Sequence, residues 1–246
     1  MPDTSQLPSV LCWDIDGTLL TTARAGVYAL EQASEEICGR RADLSQLATA
    51  GLTDAEVAAM VIRSCEVADS AARVNAFLRA YERHLPERLG WRRGGVLPGV
   101  VPILDALSTQ ENTKSLLLTG NTEAGARAKL RHYGLDRYFD SGAFCVGPGD
   151  RASIARRAHQ LAKETCGPSL RDERIYVIGD TPHDIRCGRA IGARTVAVAS
   201  GPVSHSALDA AGPWLLLSRM PEPRRFMDLL GLGSAQCGSA LAGRDG

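Results

Sequence analysis

The sequence predicts an α/β fold with a helical insertion after its first strand, and three observations carry that prediction. Four short, continuous apolar runs, at Val10–Trp13, Ser115–Leu118, Ile175–Ile178 and Thr195–Ala199, have the character of strands covered on both faces. Amphipathic stretches of helical spacing, such as Ala124–Tyr133 and Ser153–Glu164, lie between them, and this alternation implies a parallel sheet with right-handed crossovers. The alternation breaks once, from about Thr21 to Leu97, where Ala, Glu and Arg dominate and no convincing strand occurs.

The elements follow in order. The first strand ends in "DIDG" at residues 14–17. Helical patterns at Val27–Cys38, Asp54–Cys65 and Arg73–Leu85 fill the break. It closes with "GWRRGGVLPGV" at residues 90–100, where glycine and proline punctuate the chain. Both ends of the insertion return to the sheet. Its expected place is therefore above the carboxyl end of strand one, where open α/β sheets bind ligands. Weaker strands at Ala143–Val146 and Trp214–Leu217 extend the sheet. The division expected is a core of residues 1–20 with 98–232, a helical domain of 21–97, and a small, polar, disordered tail of 233–246.

Composition limits the function. Lys plus Arg number 28, as do Asp plus Glu, so no net field points to nucleic acid or to an acidic membrane. No apolar run approaches the roughly 20 residues of a membrane span. The start, "MPDTSQLPSV", has an acid, two prolines and no basic residue, unlike a secretory signal. The seven cysteines are odd in number and scattered, without a CxxC or a Cys/His cluster, which argues against a disulfide framework or a zinc site. A cytoplasmic monomer or homodimer acting on a small molecule is the expectation.

The residue pattern at the strand ends narrows this further. Side chains alternate in an extended chain, so Asp14 and Asp16 project to one side and Ile15 to the other. Gly17 permits a sharp departure, and Thr18 adds a hydroxyl in the turn. Two carboxylates this close repel unless a cation lies between them or one holds a proton. Alone, the pair could equally cap a turn. "SLLLTGN" ends in Thr119, Gly120 and Asn121, which can bind an anion with the helix N–H groups or serve as ordinary caps. "IYVIGDTPHDI" ends a strand with Asp180 and places Asp184 four residues later. Asp, Thr and Asp thus share one edge of the sheet, and an oxygen-rich cluster without His or Cys suits Mg²⁺.

In this order and spacing, "DIDGTL", "LLTGN" and "VIGDTPHD" resemble the motifs of the haloacid dehalogenase-like hydrolase superfamily, over roughly Val10 to Ala199. The resemblance implies a Rossmann-like parallel core with a helical C1 cap, and it is nearest to phosphoglycolate-phosphatase-like members. "AGLTD" at residues 50–54 is similar to a cap loop of those enzymes. By the resemblance, Asp14 would attack phosphorus and form an aspartyl-phosphate, and Asp16 would act as general acid and then base. Mg²⁺ would be held by Asp14, the backbone carbonyl of Asp16, and Asp180. Thr119 and N–H groups near Gly17, Gly120 and Asn121 would hold the phosphoryl oxygens. Asp184 would orient Asp180 or a water on the metal. The family's cation, usually lysine, matches Arg151 in "GPGDRASIARRAHQ"; its rival is Lys129 in "AGARAKL".

A Mg²⁺-dependent phosphatase of a small phosphorylated metabolite is the function this implies. A phosphomutase, or another phosphotransferase, stays open. A dehalogenase needs no acid at Asp16, because halide leaves without a proton. An inactive binding protein would be expected to lack Asp14, Asp16 or Asp180, and all three are present. His183 reads as a solvent-facing loop residue, Trp13 as core, and Cys12 and Cys187 as buried or half-buried thiols. Arg24, Arg92 and Arg93 read as solvated charges at the cap connections.

Overall fold

In the computed structural model, residues 7–47, 49–91, 93–147 and 151–232 are described. Six parallel strands form one sheet: β1 (Ser9–Trp13), β4 (Thr113–Leu118), β5 (Gly142–Ala143), β6 (Ile175–Gly179), β7 (Arg194–Val198) and β8 (Leu215–Leu217). Their spatial order is β5-β4-β1-β6-β7-β8, with β1 at the centre. Val10 pairs with Lys114 on one side and Ile175 on the other, and Trp13 with Leu117 and Ile178. That register brings the ends of β1, β4 and β6 level.

Alternate residues of the central strands feed different cores. Leu11, Trp13, Leu117, Tyr176 and Ile178 pack with α4 (Val100–Ser108), α5 (Glu123–His132) and α9 (Pro223–Leu230). Val10, Cys12, Leu116, Leu118, Ile175 and Val177 belong to a second core with α6 (Arg151–Cys166) and α7 (Pro182–Ala190). This is the two-face burial that made the strands continuous apolar runs rather than alternating ones. Trp13 is fully buried and stacks on Phe226, with ring centroids 5.9 Å apart. The short α8 (His205–Ala210) seats Leu208 against Ile185 and Ala197.

The helical segment consists of α1 (Ala25–Cys38), α2 (Asp54–Ser64) and α3 (Ala71–Trp91). Small residues of α1, such as Ala29 and Ala33, share a core with Phe77 and Leu85 of α3 and with Val57 and Val61 of α2. Two strands that the sequence reading missed join this segment to the sheet. They are β2 (Leu20–Thr21) and β3 (Gly95–Val96), and they pair antiparallel. Two-residue strands carry no period, so the sequence pattern could not announce them. Arg93 is exposed. Arg92 and the tail at 233–246 lie outside the described residues.

Candidate active site

The site is built at the carboxyl edge of β1, β4 and β6. The N–H of Asp14 still donates to the Ile178 carbonyl (3.0 Å), continuing the sheet ladder and fixing the Asp14 backbone. The chain then turns: the N–H groups of Leu19 and Leu20 both donate to the Ile15 carbonyl, and Gly17 adopts φ 84°. A glycine is required here twice over. The left-handed conformation resists a side chain, and a Cβ would collide with the Asp180 carboxylate. Gly201, in the loop after β7, meets the same carboxylate from another side, and the Ser200 hydroxyl donates to the Gly17 carbonyl (2.7 Å).

Three carboxylates converge in this cradle. One oxygen each of Asp14, Asp180 and Asp184 lie within 4.8 Å of one another, and all three residues are buried. Thr18 donates its hydroxyl to Asp180 Oδ1 (3.2 Å), while Asp180 Oδ2 is buried without a hydrogen-bond partner among the described residues. Burial and the neighbouring Asp184 push the Asp180 carboxyl up to about 7. Burial and Asp184 likewise hold Asp14 above the usual carboxylate range, against the opposing pull of Arg151. A cation among these oxygens would reverse both penalties, and an all-oxygen donor set with one unpartnered carboxylate oxygen fits Mg²⁺.

Both candidate cations reach the site, each on a different aspartate. Arg151 begins α6 and is buried. Its guanidinium donates to Asp184 Oδ1 (3.0 Å) and to the Gly51 carbonyl (2.6 Å), and lies 3.8 Å from Asp14 Oδ1. Lys129 is also buried, not a surface charge on its helix. Its ammonium donates to Asp16 Oδ2 (2.5 Å) and Asn121 Oδ1 (2.6 Å). Burial works against that charge, but Asp16, Tyr81 and Asp54 outweigh it and hold the ammonium above its ordinary range.

Several sequence-predicted site residues already bond within the protein. The Gly17 N–H closes the turn on the Leu20 carbonyl (2.9 Å), and the residue also serves by its missing side chain. Asn121 donates its side-chain amide to Asp16 Oδ2 (2.9 Å) and to Thr119 Oγ1 (2.8 Å). Thr119 stands fully buried at the end of β4, its hydroxyl facing that amide. Asp184 touches Arg151, and its second oxygen accepts from the N–H (3.1 Å) and hydroxyl (2.6 Å) of Thr181 at the start of α7. It therefore fixes the arginine and the helix start together. His183 is on α7 and half-buried against Gly51, not in a loop facing solvent, and burial lowers its pKa.

The loop before α2 closes over the site. Thr53 and Glu56 form a capping box, the Glu56 N–H donating to the Thr53 hydroxyl (3.2 Å) and the Thr53 N–H to Glu56 Oε2 (2.7 Å). With the helix start so fixed, Asp54 clasps the loop after β4: its N–H donates to the Gly120 carbonyl (2.8 Å), and its carboxylate accepts from the Thr122 N–H (2.8 Å). At Gly120 a Cβ would press on the Leu52 carbonyl. Sequence reasoning singled out "AGLTD" as a cap loop but gave Asp54 no role.

Burial pushes the Asp54 carboxyl up to about 6, despite Lys129 and the Thr122 N–H. A carboxyl raised on folding binds more protons in the folded chain, so stability rises as pH falls through about 6. Asp54→Asn keeps an acceptor for Thr122 and removes the charge. Thermal unfolding is expected to show the variant above the wild type at pH 8, with the gap narrowing toward pH 5. A pH-independent gap would contradict this origin.

The model of the haloacid dehalogenase-like hydrolase family matches residues 11–189. The chain belongs to that family. A tyrosine-protein kinase, PtkA of Mycobacterium tuberculosis, is 30% identical over 197 residues, which is 79% of this chain and 63% of the kinase. The chain thus spans just under two thirds of that curated relative. A protein named "Probable phosphatase IndB" from Dickeya dadantii is 31% identical over 221 residues, 87% of this chain and 90% of its own. Among solved structures, a "predicted phosphoglycolate phosphatase" from Haemophilus somnus superposes with TM-score 0.70 at 16% identity, covering 91% of this chain and 99% of that one. The last likeness concerns the fold alone. Among the described residues no helix is long and apolar enough to cross a membrane.

Proposed function

We propose that the chain is a Mg²⁺-dependent phosphomonoester hydrolase that works through an aspartyl-phosphate on Asp14. The observation that carries this reading is the buried Asp14 carboxylate, with Arg151 at 3.8 Å and an oxygen each of Asp180 and Asp184 within 4.8 Å. Asp14, the Asp16 carbonyl and Asp180 would hold the metal, which when bound supplies charge neutralisation between the nucleophile and the phosphate.

The chain's own residues account for the rest. An Asp14 oxygen attacks phosphorus as the bond to the leaving oxygen breaks, and Asp16 gives that oxygen a proton. Water then attacks the phosphorus, Asp16 takes the proton of the water, and the bond to Asp14 breaks to release phosphate. Arg151 stands where it offsets charge on Asp14 and the transferring group. Lys129 and Asn121 hold the orientation of Asp16, whose side chain is 42% exposed and so open to a substrate.

The likeness to a tyrosine kinase favours a second reading, in which a hydroxyl rather than water accepts the phosphoryl group. Phosphate release over a panel of phosphorylated metabolites with Mg²⁺, run with and without added alcohols, tests both. Free phosphate with little phosphorylated alcohol supports the hydrolase. Transfer in excess of release would favour the phosphotransferase, and neither product would sink the enzymatic reading. A separate measurement addresses the metal. Mg²⁺ at about 100 times its Kd should stabilise the fold by about 2.7 kcal/mol if it binds only the native state. That is about 5–10 °C in Tm for a chain of this size, reversed by EDTA. An unchanged Tm together with EDTA-insensitive turnover would remove Mg²⁺ from the account.

A further inference from the structure

The helical segment supplies a wall to the site whose chemistry differs from that of the sheet edge. One continuous cavity of about 740 Å³ runs from Asp14, Thr119 and Asp180 to residues of α1, α2 and α3. That volume lies in the upper part of the ~300–1,000 Å³ that encloses drug-sized ligands. It exceeds what a phosphate and a two-carbon leaving group would fill. The far wall is apolar: Val27 and Leu30 of α1, Val57 of α2, Leu47 of the connecting loop, Leu97 and Val203. Tyr81 of α3 is almost fully buried and adds a ring, with its hydroxyl beside Gly26.

The buried cations of the cavity are committed elsewhere. Lys129 is bound to Asp16 and Asn121, and Arg151 to Asp184 and the Gly51 carbonyl. Arg24 is exposed and donates to the Leu44 carbonyl (3.3 Å). Among the described lining residues no buried cation is left to receive a carboxylate on the leaving group. Thr21, Thr22, Thr49 and Ser200 also line the cavity, but on the far wall a sugar would set hydroxyls against Val and Leu side chains, and unpaired buried hydroxyls weaken binding.

We propose that the substrate is the phosphate monoester of a bulky, mainly apolar alcohol, aryl-alkyl or branched-alkyl in kind, with room for one polar group beside Tyr81. This deepens the phosphohydrolase reading above and rests on it. The test compares kcat/KM for benzyl phosphate and cyclohexylmethyl phosphate with that for phosphoglycolate, glucose 6-phosphate and AMP, all with Mg²⁺. All are esters of unactivated alcohols, so a difference reports the pocket rather than the ease of departure of an activated leaving group. Acetyl phosphate, which asks little of the far wall, is run beside them.

The apolar esters are expected to exceed the polar ones by 10-fold or more, and Leu47→Gln to raise their KM several-fold. Turnover of acetyl phosphate with equal or greater preference for phosphoglycolate or the sugar phosphate overturns the inference and leaves the hydrolase standing. Failure with every ester and with acetyl phosphate overturns the hydrolase reading. Calorimetry with the unreactive benzylphosphonate and phosphonoacetate then still decides the pocket. Tighter benzylphosphonate by 10-fold supports the apolar wall as the recognition element, and equal or reversed affinities refute it.

Discussion

Asp14→Asn is expected to abolish phosphate release and to leave the fold intact. The loss should be on the order of 10⁴-fold or more in kcat, the scale on which removal of a covalent nucleophile registers. The amide has the shape of the carboxylate it replaces and can stay within reach of Arg151. What it lacks is the negative oxygen that attacks phosphorus. The same substitution relieves a cluster in which burial and the charges of Asp184, Asp180 and Asp16 all act against an ionised Asp14. Without Mg²⁺ the variant should therefore unfold at the same temperature as the wild type or above it, near neutral pH. A site that gains stability when its nucleophile is neutralised has been arranged for chemistry and not for folding. Phosphate release at the wild-type rate from the purified variant would refute the assignment. A collapse in Tm would mean that the carboxylate is structural.

The sequence announced the sheet edge because its signals are local. "DIDG" places two acids on one side by strand alternation, and its glycine at a turn. Continuous apolar runs identify β1, β4, β6 and β7 within a residue or two of their observed ends. What remained hidden depends on distance along the chain. Asp180 packs against Gly201 as well as Gly17, and no spacing rule connects a loop after β7 with a turn after β1. Asn121 looked like a helix cap or an anion ligand. The pairing of β1 with β4 brings the two strand ends together, and there the amide donates to Asp16.

Lys129 was ambiguous for a related reason. Helix rise sets it about 10 Å from the edge, whereas its side chain runs back toward the N-terminus of α5 and closes that distance. The lining of the far wall was least legible. Val27, Val57 and Tyr81 follow ordinary helical spacing, and the pattern of a cavity wall and that of a core are the same in sequence.

The two cations are separable by mutation. Arg151→Ala should lower kcat by about 10²–10³-fold, the usual cost of losing one preorganised charge beside a reacting group. It removes positive charge 3.8 Å from Asp14, and it also leaves Asp184 Oδ1 and the Gly51 carbonyl without their donor. Lys129→Ala acts one step away, by loosening the Asp16 carboxylate, and should cost about 10–100-fold. The conservative variants sharpen the distinction. Lys at position 151 retains the charge, but a single ammonium on a flexible stem cannot reproduce the planar guanidinium that spans Asp184 and the Gly51 carbonyl. Partial recovery of kcat in Arg151→Lys, without recovery of the wild-type Tm, would assign charge to catalysis and the fork to holding the helical segment. If Lys129→Ala proves the more damaging of the two, with Tm unchanged, the charge that the reaction needs is the one on Asp16.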